Sequence, residues 1–80
     1  MNVRAMLLIL FEKYNVFKLS EINIIKKVQY QHEYCINQPV PSIEKICMQY
    51  NIAYDQIKLN KIRAILVQYI AKCQKKNEIY

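Results

Sequence analysis

His32 and Cys35 stand three residues apart, a spacing that can set two metal-ligand side chains on one face of a helix. Two ligands do not complete a coordination shell. The chain has no other histidine, and its remaining cysteines, Cys47 and Cys73, form no CxxC pair with each other or with Cys35. An odd count of three cysteines also leaves one unpaired in any disulfide scheme, so small buried hydrophobes are the expected role. Catalytic chemistry is equally sparse. Glycine is absent, which removes the Gly-rich phosphate cradle and the nucleophile elbow. One histidine and six scattered acids supply no triad and no carboxylate pair. The expectation is a protein that is not an enzyme and takes no metal or small-molecule substrate.

Charge is more informative. Residues 1–55 hold six basic and five acidic side chains, whereas residues 56–80 hold Lys58, Lys61, Arg63, Lys72, Lys75 and Lys76 against Glu78 alone. Of the net +6, +5 therefore falls in residues 56–80, at one end of the chain. A polyanion is the natural partner of such a field, because each Lys or Arg placed on a phosphate releases condensed counterions. The competing explanation is a solvated, solubilising helix face.

The elements that must position these charges are helices. Eighty residues at 54% hydrophobic content and a mean hydropathy of −0.09 fit one small globular domain, whose core is marginal unless it is well packed or shared with a second subunit. The longest apolar run, "AMLLILF" at 5–11, falls well short of the roughly 18 residues a membrane span requires. Glu12 and Lys13 follow it with no small-residue cleavage site, which argues against a secretory signal. A cytoplasmic protein is expected.

A first helix over about 3–14 carries Val3, Met6, Leu7, Leu10 and Phe11 on one face, with Leu8, Ile9 and Tyr14 widening it almost to the full circumference. Such a helix is either the central core helix or packs against a second copy. Asn15 suits a left-handed helix stop. Ser20 is the expected cap of a second helix with Glu21 in its first turn. Ile22, Ile25 and Val28 form its apolar set, and the helix ends at or before Gln38 because Pro39 follows. Ser42 caps the next helix, in which Ile43, Ile46, Cys47 and Tyr50 fall at i, i+3, i+4 and i+7, one buried stripe.

Asn51 then accepts the left-handed conformation of a tight turn, Ile52 tucks beneath it, and a helix resumes near Tyr54. Ile62, Ile65, Leu66, Tyr69, Ile70 and Cys73 give that last helix an apolar stripe. Against a helix-turn-helix pattern, Ile46, Cys47, Tyr50, Asn51, Ile52 and Ile57 supply six positions in register. The seventh, three residues after Ile57, is the polar Asn60, so the second helix rolls or Leu59 and Ile62 take over its packing. On the outward surface of this helix Tyr54, Gln56, Lys58, Asn60, Lys61 and Arg63 are the expected DNA-contacting residues. Asp55, unfavourable beside phosphate, is expected to stabilise the helix N-terminus.

"MLLILF", Ser20 opening an Ile-rich helix, and "SIEKICMQYNI" together resemble the PapB-type adhesin (fimbrial) operon regulators of enteric bacteria. Ser42, the Ile46–Cys47 pair, Tyr50 and Ile52 carry most of the likeness. The segment "QYQHEYCINQPVP" before Ser42 is longer than the family's pattern. The resemblance implies dimers or larger homo-oligomers on AT-rich DNA, no cofactor, and transcriptional control of bacterial surface-adhesin genes. The expected fold is all-α, a single domain over 1–80 of four to five helices, with a helix-turn-helix-like unit at about 42–63 and self-association through the apolar first helix. The alternative is a small helical protein-binding module, such as a secretion chaperone, antitoxin or adaptor. In that case Tyr30, Tyr34, Tyr50 and Tyr69 would anchor the interface.

Overall fold

The computed structural model describes residues 3–78, with side-chain surroundings for residues 3–73. The chain is all-α: α1 (Val3–Lys13), α2 (Leu19–Tyr30), α3 (Ile43–Gln49) and α4 (Gln56–Glu78), with no strand among the described residues. A π-helical turn, Gln31–Cys35, prolongs α2. Among the described residues no helix is long and apolar enough to cross a membrane.

In a chain without glycine, asparagine ends the helices. Asn15, Asn37 and Asn51 take φ of 55°, 50° and 55°, the left-handed region that asparagine tolerates better than other residues with a Cβ. After α1, the Asn15 N–H donates to the Glu12 carbonyl at 3.1 Å and the Val16 N–H to the Phe11 carbonyl at 2.8 Å. These are the two bonds of a Schellman stop. After α3 the Ile52 N–H reaches the Cys47 carbonyl at 2.8 Å in the same way. Asn37, which the sequence had not singled out, closes the π turn while the Gln38 N–H donates to the His32 carbonyl at 2.9 Å.

Helix starts are set by side chains. Ser42 caps α3, its hydroxyl accepting the Lys45 N–H at 3.2 Å. Asp55 opens α4: one carboxylate oxygen accepts the N–H groups of Ile57 at 2.9 Å and Lys58 at 3.3 Å. Helix α4 therefore begins at Gln56, two residues later than Tyr54. Ser20 does not cap α2. The Glu21 carboxylate reaches back to the Lys18 N–H at 2.8 Å, so the helix opens at Leu19 and Ser20 sits exposed within its first turn.

One cluster joins the elements: Leu8 and Phe11 of α1, Phe17 from the loop, Ile22, Ile25 and Val28 of α2, Ile43, Ile46 and Cys47 of α3, Ile52 from the turn, and Leu59 and Ile62 of α4. Phe17 meets Phe11 edge to face with ring centroids 5.5 Å apart, a favourable aromatic geometry. Helix α1 packs on α4 and α2, and α3 packs on α2. The nearly all-apolar α1 is thus a core helix within one chain, with Leu7 and Leu10 packed against the cluster as well.

Several side chains fall on other faces than expected. Tyr50 is 47% exposed: it is the C-cap of α3, and the left-handed Asn51 sends Ile52 inward in its place. Ile57 is 68% exposed, whereas Leu59 is fully buried and Ile62 nearly so. The helix has rolled so that Leu59 and Ile62 do the packing assigned to Ile57. Further along α4, Leu66 is buried and Ile70 half-buried, but Ile65, Tyr69 and Cys73 are exposed. The cysteines divide likewise, Cys47 buried and Cys35 and Cys73 exposed. Burial, reinforced by Glu21 and Glu44, pushes the Cys47 thiol up to about 11, so it packs as a hydrophobe and stays protonated.

Candidate nucleic-acid interface

The roll of α4 sorts the six expected contact residues onto different sides. With about 3.6 residues per turn, Gln56, Asn60 and Arg63 recur at i, i+4 and i+7 along the side facing α3. There Gln56 and Arg63 meet Glu44, and Asn60 is joined to it only through Gln56. Arg63 grips its carboxylate with two parallel bonds, Nη1 to Oε2 at 2.9 Å and Nη2 to Oε1 at 2.5 Å. Gln56 Nε2 donates to Glu44 Oε2 at 3.0 Å and to Asn60 Oδ1 at 3.1 Å. The Arg63 guanidinium, with help from Gln56, holds the Glu44 carboxyl down at about 2, and the same bond raises Arg63 above its ordinary value. Forked pairing of this kind is among the stronger polar contacts available to a side chain. Arg63 therefore clamps α4 to α3 rather than projecting from the surface.

Lys58 and Lys61 lie on the opposite side of α4, both exposed. Of the two ion pairs among the described residues, Arg4–Glu33 and Arg63–Glu44, neither involves them. The exposed Ile57 lies beside them, and Ala64 continues the outward face one turn on. Asp55, the nearest acid in sequence, is turned back onto the helix N-terminus. Tyr54 stands in the loop before α4, exposed at the mouth of the turn. The side chains of Lys75, Lys76 and Glu78 lie outside the described residues.

Two features had no local signal in the sequence. Glu44 is 19 residues from Arg63, and no periodicity links residues on different helices. The second is a groove of about 300 Å³ between α1 and α4, lined by Met6, Ile9, Leu10, Ile65, Leu66 and Tyr69. It exists because α1 is apolar on more of its circumference than α2 and α4 cover. His32 and Cys35 are not drawn into a ligand cluster: Cys35 is exposed, and no group of three metal-ligating side chains forms among the described residues.

No family model, curated protein or solved structure matches the chain.

Proposed function

We propose that the protein is a DNA-binding transcriptional regulator that lays the N-terminal half of α4 on the duplex. The observation that carries this reading is the outward face of α4, where the exposed Ile57, Lys61 and Lys58 follow one another around the helix with no acidic side chain among them. Lysines set on phosphates supply affinity and register. An apolar side chain beside them suits contact with thymine methyl groups in the major groove, and so AT-rich DNA. Tyr54 extends the surface toward the turn after α3. Asn60 stands at the edge of this face, and Arg63 supports it from behind through Glu44. The likeness to PapB-type regulators agrees with this reading, with the unit from α3 to α4 acting as a helix-turn-helix and the target an adhesin operon.

Assembly belongs to the same reading. On DNA, where phosphates neutralise Lys58 and Lys61 of both copies, a second copy would sit against the half-open strip of α1 formed by Met6, Ile9 and Leu10.

Mobility-shift titration with AT-rich and mixed duplexes tests the proposal. Affinity should fall by about 10- to 100-fold between roughly 50 and 200 mM salt, as expected for a few phosphate contacts. The Lys58→Ala, Lys61→Ala double variant should lower the slope of log affinity against log salt by about 2 with helical circular dichroism unchanged. No shift even at low salt would sink the reading.

A further inference from the structure

We propose that the groove between α1 and α4 is a docking site for an amphipathic helix of another protein that carries acidic side chains beside its apolar stripe. The floor and walls are Met6, Ile9, Leu10, Ile65, Leu66 and Tyr69. Three of these are substantially open to solvent: Ile9 at 49%, Ile65 at 40% and Tyr69 at 53%. Apart from the Tyr69 hydroxyl these side chains offer no polar group to orient a small molecule, whereas a helix laid into an apolar groove needs only a matching stripe.

The rim decides which helix. On α4, Lys58, Lys61, Ile65, Tyr69 and Lys72 recur at i, i+3, i+7, i+11 and i+14, a single ridge with apolar residues at its centre and lysines at both ends. On α1, Met6, Ile9, Leu10 and Lys13 recur at i, i+3, i+4 and i+7. Lys13 is exposed, its Nζ 5.8 Å from the Tyr14 ring centroid. No acidic residue falls on either ridge. The groove is therefore apolar along its length and basic at its edges, the complement of an apolar stripe flanked by Glu or Asp. A second copy is the poorer occupant away from DNA, because a two-fold interface sets a patch against itself, bringing lysine rim toward lysine rim.

The probe is a fluorescein-labelled peptide of 18 residues with leucines at helical i, i+3, i+4, i+7 spacing and glutamates flanking them. The control peptide has lysine in place of every glutamate. Anisotropy titration of the full chain, without DNA, should show the acidic peptide binding at least tenfold more tightly than the basic one. Ile65→Glu should weaken it by about tenfold or more, and Tyr69→Ala should do the same should Ile65→Glu prove poorly folded. A Lys13→Glu, Lys72→Glu double variant should reverse the preference between the peptides. Both lysines lie outside the surface assigned to DNA, and no DNA is present, so failure here leaves the DNA reading standing and the reverse is equally true. Equal affinity for the two peptides, or binding indifferent to Ile65→Glu and Tyr69→Ala, overturns the proposal. So does a dimer in sedimentation that Ile65→Glu abolishes while no peptide binds, which would identify the occupant as a second copy.

Discussion

Three asparagines hold conformations that other proteins give to glycine, and the stop after α3 depends on one of them. At Asn51 the native φ of 55° strains most residues with a Cβ by about 1–2 kcal/mol. Asn51→Ala is expected to cost about 1 kcal/mol in urea denaturation, while Asn51→Gly should stay within about 0.5 kcal/mol of the parent. Glu44 gives a second residue-scale expectation. Its carboxyl is depressed from 4.5 to about 2 by Arg63, so its contribution is fully present above pH 4.5 and is lost as pH falls toward 2. Because the pair is partly open to solvent, Glu44→Gln should cost only about 1 kcal/mol at neutral pH. Urea midpoints taken from pH 7 down to pH 2.5 should then show the variant's deficit shrinking as Glu44 protonates in the parent. Asn15, Asn51 and Ser42 were legible from the sequence because residue type and position coincide there. Glu44 was not, because its partner lies on another helix.

At the scale of elements, the sequence located the helices well and their faces less well. Breaks at Asn15, the Pro39–Pro41 segment and Asn51 followed from local chemistry. Which side of α4 turns inward did not, since Ile57, Leu59 and Ile62 offer two overlapping stripes and only packing against α1 and into the shared core chooses between them. The choice is measurable. Leu59→Ala removes a fully buried side chain and should cost about 2–4 kcal/mol, whereas Ile57→Ala should change stability by less than about 0.5 kcal/mol. The reverse order would mean that α4 sits in the register first expected. The candidate site followed the same pattern: Lys58 and Lys61 stand on the outer face as the sequence suggested, while the roll of the helix drew Gln56 and Arg63 to Glu44 and Asn60 to Gln56.

For the whole molecule, the unequal distribution of charge sets the sign of its salt dependence. Lysines beside the α1–α4 groove oppose pairing of two free chains, and salt screens that opposition over about 8–10 Å at physiological strength. Sedimentation without DNA should therefore show self-association rising with salt, the opposite trend to DNA binding. A dimer that weakens as salt is added would indicate an interface built on ion pairs elsewhere. Finally, the lack of glycine affects the unfolded chain as much as the folded one. A glycine at each helix stop would relax the native backbone, yet it would also multiply the conformations open to the denatured chain. With asparagine at 15, 37 and 51 the chain accepts slight native strain and has less disorder to give up on folding, an advantage for a domain whose core is this small.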